Sequence, residues 1–486
     1  MKNILLITSL ALIILFPNLL NAQNYNDALL LSEPGLYNNA RALSLGNSYT
    51  AAANDYSSIL FNPAGLGLMK NSQISASIHL GSFSNTSDFF NNTTDATKTR
   101  DNFDELGIVF PIPTARGSWV IAMGYNRVKD FNKVIKFDGF NNGNNSMIQF
   151  LTGEYNYDQV PITNDVGVSY EIDDINNNYI KDTTRINGML NQSGQYVNQG
   201  SINNYSLGTS FEAAKDLFVG GTFTILSGTV KRDRELWEDD TLNIYGSNLL
   251  LDPFDPITSD FQSFYFNDII DWDLSGWTAK IGMIYNWKNR FRFGATVKFP
   301  NYFSIKETYY IKVSSFFAGD NGYDSNTEDK VKYDIKTPFE FSFGGAFNLP
   351  QALITADITL IDYTQMEFTG GFDYDFRAQR NKDIEDLFTT VVNYSIGAEF
   401  AIPQSPFKLR VGGMYRPSPY SGDPSEFDKK FITAGAGFDL GERVAINLGY
   451  AHGWWKDFTD NYDSNVSRIH QDITYDHFIL SFSTSL

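Results

Sequence analysis

Residues 73–80 read QISASIHL. Ile74, Ala76, Ile78 and Leu80 fall on one side of an extended chain and Gln73, Ser75, Ser77 and His79 on the other, the period of two that a strand shows when its faces meet different media. The same alternation returns in WVIAMGYN (119–126), LFVGGTFTI (217–225), WTAKIGMIYNW (277–287) and HFILSFSTSL (477–486), with aromatic residues at the segment ends. Apolar-out and polar-in strands with aromatic ends are the pattern of a transmembrane β-barrel, whose outer face meets lipid and whose lumen is polar. A soluble β-sandwich also alternates, but it explains neither the aromatic ends nor the asymmetry of the connections.

Short, turn-rich links stand at Pro111–Gly117, Glu212–Asp216, Asn286–Arg290, Asn348–Ala352, Pro403–Pro406 and Asp439–Arg443. Long polar stretches separate them at 84–103, 132–200, 233–275, 314–335, 371–390, 417–428 and 456–471. Six short links alternating with seven long ones predict seven hairpins, hence fourteen antiparallel strands with both chain ends on the short-turn side, as in bacterial outer-membrane barrels. The predicted fold class is therefore all-β, and 71–486 is assigned to the barrel, with its largest outer loops at 132–200 and 233–275.

The first residues, MKNILLITSLALIILFPNLLNAQ, have Lys2, an apolar run and a small residue at Ala22, the pattern of a secretory leader over 1–22. Beyond it no run of eighteen apolar residues occurs, so a helical membrane span is not expected. Composition fits a barrel in the outer membrane: aromatic residues make up 15 %, there are 38 glycines, and mean hydropathy is nonetheless negative. There is no Cys, and the four histidines form no HExxH pair, so neither thiol chemistry nor a metal is expected. No nucleophile elbow or phosphate-cradling glycine loop is present, which argues against an enzyme or a cofactor. A net charge of −19 argues against a nucleic-acid partner, whose phosphates require basic patches. DINNNYIKDTTR (174–185) has the acidic spacing of a calcium loop, but Tyr179 stands where Gly is needed and Arg185 where Glu belongs.

That leaves 23–70, and within it ARALSLGNSYTAAANDYSSILFNPAGL (40–66), which fits no strand or helix period. Small and apolar residues suit packing inside a lumen, and Asn62-Pro63 forces a turn because Pro fixes φ and biases the preceding residue away from the α region. This stretch resembles the N-terminal hatch of the FadL family of outer-membrane transporters for long-chain fatty acids and other hydrophobic compounds, whose hatch carries Asn-Pro-Ala, here Asn62, Pro63 and Ala64. TPFEFSFGGAFNLPQALITADITLIDYTQMEF and FKLRVGGMYRPSPYSGDPSEFDKKFITAGAGF are similar to later strands of that family. The resemblance implies a plug over 23–70, with Gly46, Asp55, Asn62, Pro63, Ala64 and Gly65 as its marked positions. It also implies passive transport: capture by outer loops, binding in the lumen, hatch rearrangement and sideways release through a gap in the wall. The expected partners are a hydrophobic small molecule and membrane lipid. An accessory barrel of a secretion machine, with a protein partner, and a general porin are the alternatives.

Two sets of residues are candidates for contact with cargo. The stretch 233–275 is rich in aromatics, and Trp237, Phe261, Phe264, Tyr265, Phe266 and Trp272 are expected to form an outward capture surface. It also holds eleven Asp and Glu against one Arg, which favours neutral cargo or a bridging cation there. Strand parity turns Arg290, Arg292, Lys298, Lys408 and Arg410 toward the lumen, either to hold a carboxylate head or to pair with Glu340, Asp357 and Glu399 in a charge ladder.

Overall fold

The computed structural model describes residues 25–36, 39–153, 162–176, 178–441, 443–462 and 466–485. The leader over 1–22 lies outside them. Fourteen strands form the wall: β1 Gln73–Phe89, β2 Asn92–Ile112, β3 Trp119–Asp130, β4 Leu190–Ala214, β5 Leu217–Asp239, β6 Phe261–Trp287, β7 Phe291–Lys298, β8 Glu340–Asn348, β9 Ala352–Asp362, β10 Thr390–Ala401, β11 Phe407–Arg416, β12 Lys429–Leu440, β13 Val444–Asp460 and β14 Arg468–Ser485. Each is antiparallel to the next, and β14 pairs with β1 from Gln73↔Ser485 to Asp88↔His470, so the barrel closes. Closure leaves no free wall edge, which is what a bilayer demands of a spanning sheet.

The outer face follows the sequence period. Ile78, Leu80, Met123, Phe223, Ile225, Ile281 and Phe293 are exposed, while their neighbours in sequence point inward. Trp287, Phe291, Phe347, Phe407 and Phe438 gather near the short turns, with Phe291 stacked on Phe347 at 4.5 Å and Phe407 against Phe438 at 4.8 Å. No helix among the described residues is long and apolar enough to cross a membrane.

The six short links fall where expected, but much of what reads as loop is strand. β1 and β2 run to a turn at Phe90 and Asn91, so 84–103 is a hairpin. β6 starts at Phe261, which reduces the 233–275 loop to 240–260. Strands 302–317 and 321–336 continue the wall above β7 and β8, pairing with each other and with the upper half of β6. Those continuations are separated from β7 and β8 at Pro300 and Pro338, which have no N–H to give a ladder. These extensions carry mostly polar residues on their outer side, among them Lys306, Lys312, Glu328 and Lys330, so they lack the alternation that marks a spanning strand. Between β3 and β4 the chain adds a strand at 133–141, the helices Met147–Gly153 and Ile162–Asp165, and a small hairpin, 170–173 with 179–183.

The interior is filled at two levels above the short turns. Near the outer mouth, Phe89, Phe137, Met147, Leu151, Leu236, Phe264 and Phe266 pack into one buried cluster. Glu238 fixes the mouth helix to the wall by accepting from Met147 N at 2.7 Å and Ile148 N at 3.3 Å. Below it, Trp272, Tyr333, Phe303 and Phe368 form a second cluster, which meets Ala28 and Leu31 of α1, Tyr25–Ser32.

Candidate functional site

The lowest level holds residues 40–68. Helix α2, Ala40–Ser44, is capped by Asn39, whose side chain accepts from Arg41 N and Ala42 N. Asp55 and Asn62 cap the two 3₁₀ turns Tyr56–Ile59 and Pro63–Leu68, and Pro63 occupies the first position of the second, where its missing N–H costs nothing. Asn62 also donates to Thr50 O at 2.8 Å and to Met283 O of β6 at 3.1 Å, while Ala64 O accepts from Ser210 of β4 at 3.1 Å.

The wall meets this segment with backbone. Eleven strands place a glycine against it or beside it: Gly107, Gly124, Gly208, Gly220, Gly282, Gly294, Gly344, Gly397, Gly412, Gly435 and Gly449. A Cβ on Gly107 would fall 2.1 Å from the Tyr56 ring, and one on Gly397 would fall 2.4 Å from Leu45 O. The belt is built in pairs, since Gly107↔Gly124, Gly220↔Gly282, Gly294↔Gly344, Gly397↔Gly412 and Gly435↔Gly449 are direct cross-strand partners. Gly46 itself has φ +64 and approaches Gly413 O, and a Cβ on Gly65 would strike Ala53 O at 2.4 Å. Two small-residue surfaces thus approach to backbone contact, closer than any larger pair of side chains allows.

Charges tie the same level together. Glu399 of β10 receives Arg410 at 2.6 Å from the next strand and Arg41 of α2 at 3.0 Å. Arg41 further donates to Tyr49 Oη and Asn54 Oδ1, and Asp55 accepts from Tyr49 at 2.7 Å. Asp357 accepts from Thr50 N at 2.7 Å. Lys298 pairs with Glu340 and Lys408 with Asp439, both at 2.6 Å. Of the basic residues expected in the lumen, Lys298, Lys408 and Arg410 are therefore in ladder pairs. Arg292 is half-buried and its Nε has no hydrogen bond. Arg290 is not in the lumen: it lies exposed in the turn between β6 and β7, because β7 begins only at Phe291.

Above the segment, α1 and the strand-free residues to Gly35 cross the lumen as a strap. Asp27 meets Arg232 at 2.8 Å, and that guanidinium lies 4.6 Å over the Trp272 ring. Lys129 donates to Leu30 O at 2.5 Å and to Glu33 O at 2.6 Å, Lys429 binds the Glu33 carboxylate at 2.5 Å, and Arg416 donates to Pro34 O at 2.8 Å. Burial alone pushes the Glu33 carboxyl up, but the ammonium groups of Lys429, Lys129 and Lys133 outweigh it and hold it at about 2. Its folded value is depressed, so the tie is in place above the ordinary carboxylate range and is lost as pH falls toward 2.

The strap separates two kinds of space. On the outer side are a cleft of about 570 Å³ with Tyr25, Leu29, Leu30, Tyr420, Phe427 and Trp455 in its walls, and a chamber of about 560 Å³ with Phe150, Tyr196, Arg232, Ile270 and Tyr309. The two share Asn26, Lys133, Asp457 and Thr459, so they adjoin. On the inner side a cavity of about 60 Å³ lies among Leu31, Ile59, Val128, Lys129, Ile202 and Lys280.

The wall is interrupted beside that cavity. The β2–β3 ladder runs from Ile112↔Trp119 only to Glu105↔Asn126. A bulge at Asp104 ends the regular register of β2, and β3 breaks at Phe131 and Asn132 before 133–141. Bulges bend a strand and stop pairing, and here one opens a seam above residue 105.

The aromatic set of the 233–275 stretch is not an outward surface. Phe261, Phe264, Phe266 and Trp272 are fully buried, because they sit on or at the start of β6 with its inner side toward the clusters. Trp272 donates to Glu307 at 2.7 Å. Of the set only Trp237 and Tyr265 face out, their rings tilted at 4.4 Å, with Phe316 stacked 6.0 Å from the Trp237 ring. Phe264→Ala is therefore expected to destabilise the folded barrel by about 3–5 kcal/mol, read from denaturant unfolding in detergent; a loss below about 1 kcal/mol would mean that the ring is not packed as described.

No family model matches the sequence, and no curated protein matches it. Among solved structures, the toluene transporter TodX of Pseudomonas putida superposes with a TM-score of 0.53 at 13 % identity, over 94 % of this chain and 99 % of that one. A Pseudomonas aeruginosa FadL homologue gives 0.53 at 11 % identity, over 93 % and 99 %, and the monoaromatic hydrocarbon channel CymD gives 0.50 at 12 %, over 94 % and 98 %. A closed fourteen-stranded wall with a folded segment inside it, matched over nearly the full length of both chains, identifies the fold as that of the FadL-family transporters.

Proposed function

We propose that the chain is an outer-membrane channel for passive transport of hydrophobic small molecules, long-chain fatty acids or hydrocarbons, with residues 23–70 as its hatch. The observation that carries this reading is the contrast between the two possible exits. Downward, the lumen is closed by a segment seated on eleven strands of glycine backbone and held by Glu399. Sideways, the ladder between β2 and β3 stops at Glu105. An apolar molecule leaving through that seam passes from protein to lipid without giving up its burial, about 0.8 kcal/mol per methylene.

Cargo is taken up at the outer cleft, where Leu29, Tyr420, Phe427 and Trp455 offer apolar contact, and not at the inner aromatics of β6. It passes α1 by a shift of the strap, whose ties are side-chain pairs that can be exchanged, while the belt-bound part of the hatch stays in place. Of the named structures TodX is a toluene transporter and CymD a monoaromatic hydrocarbon channel, and this fold-level likeness supports the class of cargo without choosing a member of it. The test is uptake of labelled oleate and of toluene by vesicles containing the purified protein. Uptake well above that of empty vesicles is expected, falling at least tenfold in Leu30→Asp, which puts a charge between cleft and strap. Uptake of neither compound above the empty-vesicle rate overturns the proposal.

A further inference from the structure

Above Glu105 the seam is crossed by side chains alone. Arg127 Nε of β3 lies 3.9 Å from Asp104 Oδ1, Arg100 Nη1 of β2 lies 3.5 Å from Asp130 Oδ1 of β3, and Asn102 donates to Asp130 at 3.1 Å. Arg100 and Lys98 also reach across to the carbonyls of Gly200 and Asn198 on β4, at 3.2 and 3.1 Å. No backbone ladder joins β2 and β3 here; these charges, together with apolar packing of Ala96 and Val134 higher up, hold the seam closed.

One member of the set has a second partner on its own side. Asp104 is fully buried, neither of its oxygens accepts a hydrogen bond, and Oδ2 lies 3.5 Å from His79 Nδ1 on β1. The His79 ring stacks on His477 of β14 at 4.7 Å, and Nε2 of the first contacts Nδ1 of the second at 2.7 Å. His477 Nε2 is buried without a partner. Only one proton can sit between the two facing nitrogens, and a second proton on the pair makes one ring a cation. The other charged or titratable groups facing this cluster among the described residues are Arg100 and Glu105 from β2, Arg127 and Asp130 from β3, Arg416 from β11, Tyr475 from β14 and Tyr56 from the hatch.

We propose that the seam is a proton-switched gate, in which a proton taken up by the His79–His477 pair transfers Asp104 from its partner across the seam to a partner on its own side. With the pair neutral, Asp104 is the countercharge of Arg127 and draws β3 toward β2. With the pair charged, the imidazolium at 3.5 Å is the nearer cation; it competes for the carboxylate and repels Arg127, so the attraction across the seam falls. Acid therefore opens the wall and neutral pH closes it. This gate regulates the lateral exit proposed above and rests on that reading for its purpose, but its motion is measurable without cargo.

The chain has no native cysteine, so a single reporter is clean. Ile202→Cys places a thiol on β4 inside the wall beside the seam, where Ile202 is 4 % exposed, and Ile78→Cys places one on the lipid face as control, where Ile78 is 49 % exposed. In phosphatidylcholine vesicles, the labelling rate of the first by membrane-dissolved pyrene maleimide, divided by that of the second, removes the reagent's own pH dependence. The ratio is expected to rise at least fivefold from pH 7.5 to pH 4 in the otherwise unaltered protein. It should be high at both pH values in Asp104→Asn, which removes the countercharge, and low at both in His79→Gln. A ratio that does not change with pH in the unaltered protein, or one that changes equally in His79→Gln, overturns the gate. If Asp104→Asn fails to form an SDS-resistant barrel, the unaltered protein and His79→Gln decide the matter alone. Oleate uptake with a flat ratio removes the gate and leaves the transport reading intact; a pH-dependent ratio without uptake does the reverse.

Discussion

Replacing Glu399 by Leu is expected to cost the folded barrel about 3–5 kcal/mol, because it strips the carboxylate from two arginines at once and leaves the buried Arg410 as an uncompensated charge. Arg410 is almost wholly buried and among the described residues keeps a hydrogen bond to Asn447 at 2.9 Å, while Arg41 keeps Tyr49, Asn54 and Asp55 at 4.0 Å. Since Arg41 belongs to α2 and Glu399 to the wall, the loss also loosens the hatch, and ion conductance in planar bilayers should increase. Lys408→Gln is the matching control: its pair with Asp439 is about a third exposed on both sides and is worth about 0–1 kcal/mol. Unfolding in denaturant separates the two, and a Glu399→Leu protein within about 1 kcal/mol of the parent would refute the anchor. The same geometry bears on cargo. If Arg410 serves Glu399 rather than a fatty-acid head, Arg410→Gln should slow oleate and toluene uptake alike.

The second large effect comes from the glycine belt. Gly412→Val puts methyl groups where Gly46 N is already 2.5 Å from an added Cβ, and the obstacle is backbone on both sides, with no flexible side chain to turn away. Overpacking of this kind costs about 1–3 kcal/mol or more. The wall is locked by its ladders with β10 and β12, so the hatch must yield. The expected result is a barrel that still assembles, resists SDS and conducts ions many times better than the parent. Gly345→Val, next to the belt residue Gly344 but with nothing within 4 Å of its added Cβ, should behave like the parent. Equal conductance in both would place residues 40–68 away from the wall.

Much of this molecule is visible in short stretches. The outward Ile78 and Leu80, the six tight links and hence the fourteen strands follow from alternation and turn chemistry, which are local properties of a few consecutive residues. So does the turn at Asn62-Pro63. Parity also puts Arg410 and Glu399 on one face, although Arg41 as their third member carries no local sign. The reading went astray where polarity and geometry part company. Above the bilayer both faces of a strand meet protein or water, so β6 reads as an aromatic acidic loop although Phe264, Phe266 and Trp272 are its buried side.

What the sequence by itself determined was the class of wall, its strand number and the presence of a compact segment that belongs to no strand, because each depends on residues that are neighbours in the chain. The tertiary structure alone decided which glycines face one another, where the ladder stops, and that His79 meets His477 across 398 positions. Those facts depend on the register between strands and on the closure of β14 onto β1, and a shift of a single residue would turn every inward side chain outward. The seam at Asp104 belongs with them, since one bulged residue on one strand sets it and no pattern of composition announces it.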